Sequence, residues 1–446
     1  MKFPPQTRKR QSEATCRHTG EPATSDPAAV TWRRRVSCVF AWCTLTVLAA
    51  VVAFMGLVAC RAIWNLDRPT GWAAGELLIN YEGGFVRRGL FGQLFFRSER
   101  PLLLATQVQK WMVVGFVTGS TLMVYFWKTL PAALAYVALL CLAPGGLLHL
   151  ATAGGFAFMD RKEIWFYVAM VVVIGCARGF GMFKLPTAII VGLLSTVMIL
   201  HHEAFAVFFV PPIVFCYLFY VCAARHKSGL IQMAVAMLPP LTAFAAVTLN
   251  SGDSAVAQAI TQSYTGTDAA GVGGGITAIG WAFSTSSALS LRVLRDGSLV
   301  YWLAHFSAAI ALAGLCLAFV PRNRLGGRLA WAVLCWQLAA TCLLAYAGWD
   351  WGRWISLFTI GSALTLALVH VLAEHPVFGS PGRQSFWTGR EIGAPVGGPR
   401  IALVLFVMAV PAILLSTMTR MASHGPQPGS LALSLEKWTS LFRVIR

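Results

Sequence analysis

Apolar residues in this chain come in runs of about twenty, separated by short polar or glycine-rich breaks. That is the length a helix rising 1.5 Å per residue needs to cross roughly 30 Å of hydrocarbon. The runs predict spans at about 36–60, 108–127, 130–150, 164–178, 185–201, 204–223, 229–249, 299–320, 329–347, 354–373 and 401–419, about 11 in all. Ten-residue segments of alternating polarity, the mark of a membrane barrel, are not the pattern here. The expected fold is therefore all-α: a polytopic integral membrane protein with a transmembrane helical domain over 36–419.

The breaks divide into two kinds. Residues 1–35 are rich in Pro, Thr, Ser and Arg with few large apolar groups, so they are expected to form a disordered basic tail. With that tail inside, the long connections at about 61–107 and 250–298 are outer loops, 375–400 is a cytoplasmic linker, and 420–446 is a short outer tail. Within the first loop, Phe85-Val86-Arg87-Arg88-Gly89-Leu90-Phe91 interleaves charge and apolar groups as an interfacial helix does. In the second, Gly271 to Gly275 is expected to serve as a hinge or lid, followed by a surface-lying element carrying Ile276, Ile279, Trp281 and Phe283.

Composition agrees with the membrane reading. Of 446 residues, 57% are hydrophobic and 12% charged, whereas soluble domains carry about 25% charged residues. The net charge of +18 would point to nucleic acid in a soluble domain; here it follows the rule that basic residues gather on the cytoplasmic side of membrane spans. Arg178/Lys184, Arg225/Lys227 and Arg322/Arg324/Arg328 all fall on the side of the basic tail, which supports an inside amino terminus and gives nucleic acid no role. Of 11 cysteines all but Cys16 lie in or at the end of a span, so they read as buried thiols. The spacings C-x-x-C and H-x-x-x-H are missing, and no metal or cofactor is indicated. Leu57 to Cys60 resembles a lipoprotein cleavage box, but the apolar run before it exceeds the 7–15 residues of a signal-peptide core, so the segment is expected to be a retained signal anchor.

Candidate chemistry sits where charge meets the ends of spans. Ionisable groups at the edge of hydrocarbon cost several kcal/mol unless paired or wetted, so clusters threaded to one side suggest a shared site. In Tyr81-Glu82-Gly83-Gly84 followed by Arg87 and Arg88, the glycines permit close backbone approach and the guanidiniums suit bidentate phosphate binding. Asp160 and Arg161, with Lys162 and Glu163, are candidate substrate contacts that can also satisfy one another in a solvated turn. His201-His202-Glu203 offers a general base in His202 or Glu203; adjacent histidines point to different helix faces, which disfavours a zinc site. Asp350 and Arg353, set among Trp349, Trp351 and Trp354, are three residues apart, so Asp350 can either pair with Arg353 or act on an acceptor while Arg353 holds a phosphate.

This arrangement of many spans, an inside amino terminus, a long first outer loop and acids with arginines at the outer mouth resembles multi-span bacterial envelope glycan enzymes. These are the polyprenyl-phosphate-sugar-dependent glycosyltransferases of the GT-C type and the O-antigen polymerases. The resemblance covers the architecture from about Val36 to Thr419. It implies a catalytic acid in the first outer loop, for which Asp67, Glu76 and Glu82 are the candidates; the paired adjacent acids often seen in the transferases are not found in this sequence. Arginines in outer loops, as in polymerase-like members, would be matched by Arg87, Arg88 and Arg353. The function implied is glycan transfer or polymerisation in the bacterial inner membrane. Glu82, Asp350, His202 and Glu203 would be catalytic, while Arg87, Arg88, Arg353, Tyr81, Asp160 and Arg161 would bind substrate. The expected partners are a lipid-linked sugar or glycan, membrane lipids and envelope polysaccharide assembly proteins. The alternatives are a transporter or flippase for lipid-linked glycan and a non-catalytic assembly scaffold.

Overall fold

Helices follow the apolar runs wherever the chain is described. The computed structural model describes residues 27–64, 71–125, 130–147, 161–224, 227–281, 283–293, 299–317, 324–348, 351–373, 419–422 and 425–428. Long helices are α1 (Pro27–Trp64), α4 (Pro101–Val124), α6 (Glu163–Cys176), α7 (Leu185–His201), α9 (Val210–Ala224), α10 (Lys227–Leu249), α14 (Leu299–Leu317), α15 (Arg324–Ala347) and α16 (Trp351–Ala373). Between them lie α2 (Gly71–Leu77), α3 (Leu90–Phe96), α5 (Leu130–Val137), α8 (Ala204–Phe208), α11 (Ser254–Ser263), α12 (Gly274–Thr277) and α13 (Phe283–Val293). Among the described residues six segments are long and apolar enough to cross a membrane: Val39–Val58, Glu163–Gly181, Ala204–Ala223, Ser228–Leu249, Gly326–Ala347 and Gly352–Ala373. Shorter apolar helices occupy Ala132–Leu142, Leu185–His201 and Leu303–Gly314. The expected span at 401–419 lies outside the described residues except for Thr419, which instead begins β1 (Thr419–Ala422), paired antiparallel with β2 (Gly425–Pro428).

Helix α16 is the centre of the bundle, buried along nearly its whole length against α6, α14 and α15. Three hydroxyls on it find partners inside the bundle. Gln337 of α15 accepts from Ser362 Oγ at 2.9 Å and Thr365 Oγ1 at 3.0 Å, and Thr359 Oγ1 donates to the Pro144 carbonyl at 2.6 Å. Hydrogen bonds of this kind join helices in lipid, where hydrophobic association between them is weak. Around this centre α7 packs on α10, α1 on α4, and α4 on α6.

The two long loops fold together. Tyr264 Oη donates to the Leu78 carbonyl at 2.6 Å, Asn80 Nδ2 to Ser263 Oγ at 2.9 Å, and Arg87 N to the Asn250 carbonyl at 3.0 Å. Asp268 accepts from Leu102 N at 3.1 Å and Leu103 N at 2.9 Å, occupying backbone donors at the start of α4 that have no partner within the helix. Two expectations are corrected here. The stretch 85–91 is not one interfacial helix: Gly84 (φ 106°) and Arg88 (φ 69°) take left-handed conformations that no right-handed helix accommodates, and helix resumes only at Leu90. The Gly271–Gly275 segment is not a free lid either, because α12 lies backbone to backbone against α2. A Cβ on Gly75 would stand 2.6 Å from Gly275 N, and one on Gly275 would stand 2.6 Å from both Glu76 N and Trp72 O. Ile276 and Ile279 are buried with them, and Trp281 packs on Trp72 at 5.5 Å, so these residues form core contacts and not a surface element.

Gly275→Val should open this apposition and lower stability by about 1–3 kcal/mol, the usual cost of overpacking. Gly273→Ala, whose Cβ would meet nothing within 4 Å, is the control. Thermal unfolding in detergent should show a lower midpoint for the first variant and no shift for the second.

Candidate functional site

Glycine contact between α2 and α12 sets Glu76 deep in the protein, and the turn beyond it brings two arginines back over it. Gly84 and Arg88 reverse the chain between Tyr81 and Gly89. A left-handed conformation costs a residue with a Cβ roughly 1–2 kcal/mol. At Arg88 it is held from both ends: the buried Lys162 donates from Nζ to the Arg88 carbonyl at 3.0 Å and to the His201 carbonyl at 3.1 Å, while the Arg88 side chain grips Glu203.

Four segments distant in sequence meet around Arg353, which enters on the first turn of α16. Its Nε donates to Glu163 Oε1 at 2.6 Å and its Nη1 to Glu76 Oε1 at 3.1 Å. Its Nη2 lies 2.9 Å from His202 Nε2. Glu76 is shared further, with Arg161 Nη1 at 3.2 Å from Oε2, Arg88 Nη1 at 3.9 Å from Oε1, and Trp72 Nε1 donating at 3.3 Å. At the outer edge Arg88 Nε donates to Glu203 Oε2 at 2.9 Å while its Nη2 holds Oε1, and Arg87 Nη1 approaches Oε1 at 3.4 Å. Exposure is graded: Glu76 and Arg353 show 2% and 7% of their side chains, Arg87, Arg88 and Glu203 show 24%, 16% and 23%. The network therefore has a sealed interior and an accessible mouth made of two arginines and one glutamate.

The protonation states are set by these neighbours. Burial alone would push the Glu76 carboxyl up, but Arg353, Arg161 and Arg88 outweigh it and hold it well below the ordinary carboxylate range. Glu203 is likewise held low against its burial, chiefly by Arg88. Burial drives Lys162 down to about 7. His202 is pushed well below its usual value by burial and by Arg88, so its ring is neutral. Arginine only donates, so His202 Nε2 is the acceptor of Arg353. On its other side the ring's Nδ1 lies 3.1 Å from Ala204 N and 3.5 Å from Glu203 Oε2. With Nε2 engaged by Arg353 and Nδ1 facing the Ala204 N–H, His202 orients Arg353 and is poorly disposed to act as a base.

Of the residues singled out from the sequence, Arg87, Arg88, Arg161, His202, Glu203 and Arg353 are brought together. Glu82 is not: it is exposed and accepts from Gln93 Nε2 at 3.2 Å, because the turn after it carries the chain past it. Tyr81 belongs to the scaffold of that turn, stacked on Phe85 at 5.2 Å with its ring over Gly89. Asp160 and Asp350 lie outside the described residues. Glu76 and Glu163 prove to be the central acids. Glu76 is visible in the sequence among the loop acids and Glu163 within its cluster, but no local pattern says that both face Arg353. His201 joins as a buried ring between Phe91 and Trp165, each 4.7 Å away. Among the described residues no group of three or more His, Cys, Asp or Glu is placed to hold a metal ion. What the mouth can do is receive an anion on paired guanidiniums beside a carboxylate.

The chain matches no protein-family model, no curated protein and no solved structure.

Arg353→Met strips the cation from two buried carboxylates and should destabilise the protein by about 3–5 kcal/mol, the range for breaking a buried ion pair. Adding Glu163→Gln should recover part of the loss, as thermal denaturation in detergent would show. The sign for Lys162 runs the other way from a stabilising pair. Its folded value of about 7 lies below the ordinary 10.5, so the unfolded chain binds the proton more readily. The resulting cost is absent above about 10.5, builds as pH falls, and is complete below about 7. Stability should rise between about pH 7 and 10.5, and Lys162→Met should flatten that rise in denaturation measured across the range.

Proposed function

We propose that this protein transfers or polymerises glycan from a polyprenyl-(pyro)phosphate donor at the outer face of the bacterial inner membrane. The observation that carries the reading is the mouth: Arg87 and Arg88 side by side, half-buried, with Arg88 in a strained backbone conformation. Strain concentrates at functional sites where the surrounding structure over-determines it. Paired arginines recognise phosphate oxygens in a planar, bidentate manner that lysines cannot. The apolar helices supply the setting in which a polyprenyl chain is soluble while its phosphate requires a cationic pocket.

In this reading the chain crosses the membrane about 11 times with its amino terminus inside, which puts the site on the outer side. Arg87 and Arg88 take the donor phosphate, and the buried Glu76, Arg161, Glu163 and Arg353 hold the floor beneath it. Charge developing on the leaving phosphate is stabilised by guanidiniums already oriented for it, which is where preorganised electrostatics contribute most to rate. A carboxylate at the mouth accepts the proton of the acceptor hydroxyl. Asp350, adjoining Arg353 in sequence, is a further acid assigned to this role or to pairing with Arg353.

Purified protein in proteoliposomes, supplied with radiolabelled polyprenyl-linked glycan, tests the assignment. Growth of the glycan with release of polyprenyl phosphate is expected, and Arg88→Ala should slow it by about 10²–10³-fold, the loss typical of one oriented donor. Arg88→Lys keeps the charge without the fork and should fall between. Movement of intact labelled lipid across the bilayer without bond formation would instead make the protein a flippase.

A further inference from the structure

The mouth already holds an anion of its own. Glu203 takes Arg88 side-on through Nε and Nη2 and approaches Arg87 Nη1, which are the donors a phosphate would require. One guanidinium fork does not serve two anions, since its Nε and Nη2 donors are already taken by the Glu203 oxygens and two anions at such separation repel each other. If donor phosphate binds here, Glu203 must leave.

The local structure permits that departure for Glu203 and opposes it for the other acids. Glu76 and Glu163 are sealed under Arg353 and Arg161, so moving either would uncover buried charge. Glu203 sits in the break between α7 and α8, where His202 is extended (φ −163°, ψ 122°), and its side chain caps no helix end. Its backbone is anchored independently, with Ala206 N donating to the Glu203 carbonyl at 3.0 Å, so rotation of the side chain suffices.

We propose, resting on the glycan-transfer reading, that Glu203 is a resident stand-in for the donor phosphate, displaced from Arg88 when the donor binds and thereby released to act as the base on the acceptor. The acceptor hydroxyl gives its proton to the freed carboxylate while its oxygen forms the new bond to the anomeric carbon. The bond from that carbon to the phosphate oxygen breaks, and its electron pair stays on the departing polyprenyl (pyro)phosphate, held by Arg88 and Arg87. Empty, the site keeps its base silent, because Arg88 is the main cation holding that carboxylate acidic. Loading the donor and arming the base are then one event.

The experiment measures two quantities on Glu203→Gln and wild type: affinity for undecaprenyl phosphate in detergent, and turnover of labelled lipid-linked glycan. An amide competes poorly for the fork and cannot take a proton. The variant should bind undecaprenyl phosphate at least tenfold more tightly than wild type while turning over at least a hundredfold more slowly. A merely structural role would weaken both. If wild type binds the probe and the variant binds it no better, displacement is overturned while the glycan reading stands. Tighter binding with unimpaired turnover overturns the role as base. Should neither protein bind the probe, the glycan reading falls and takes this proposal with it. Glu203→Asp, which keeps the charge on a stem too short to fill the fork, decides the binding comparison if the amide variant does not fold; tighter binding than wild type supports displacement and equal or weaker binding overturns it.

Discussion

A guanidinium buried in a protein cannot shed its charge, and the arrangement around Arg353 is the consequence. Lysine or histidine in such a place can become neutral; arginine must be given acceptors or the fold does not form. Arg353 receives them from Glu76, Glu163 and His202, which stand 277, 190 and 151 residues away along the chain. One side chain thereby fixes the first loop, the start of α6 and the α7–α8 break against α16. Each of those segments brings charges of its own, and Arg161, Lys162, Arg88 and Glu203 are settled in turn. The network is less a set of separate salt bridges than the outcome of satisfying one cation that has no neutral form.

The loops obey a different constraint, that of space. Glu76 can reach Arg353 because α2 lies directly on α12 with glycine facing glycine, and neither helix would fit with a side chain between them. Asp268 then secures the second loop to the beginning of α4, and Tyr264 and Asn80 secure the first loop to the second. A glycine run between polar residues looks flexible in a sequence. Here Gly274 and Gly275 serve close packing against α2.

Much of this is legible in the order of residues alone. The apolar runs mark where helices form, since a stretch of apolar residues long enough to cross hydrocarbon is read directly from the sequence, and six of the described helices have that length and composition. That Arg88, Arg161, His202, Glu203 and Arg353 would meet is also readable, since charge at a membrane edge is costly whatever its partner turns out to be. Partner identity is not. Glu82 lies next to the arginines in sequence and Glu76 lies further off, yet the turn through Gly84 and Arg88 delivers Glu76 to the site and leaves Glu82 outside it. That turn depends on a left-handed arginine, which no residue preference announces, and on a lysine from another segment bonding its carbonyl. Short helices such as α2, α3 and α12 fall below the length at which periodicity can be detected.

Burial divides this network into two parts that do different work. In the sealed part, a charge once paired has nowhere better to go, since any alternative leaves a carboxylate or guanidinium unpaired in a medium that solvates it poorly. Those contacts are permanent and belong to the fold. At the mouth, water reaches Arg87, Arg88 and Glu203, so the penalty for parting them is smaller and an external anion can compete for the same donors. The strained conformation at Arg88 falls on the boundary between the two, its carbonyl tied to the interior through Lys162 and its guanidinium facing the mouth. A rigid floor beneath an exchangeable ion pair is the property a site for charged substrate requires, and here both come from a single continuous network.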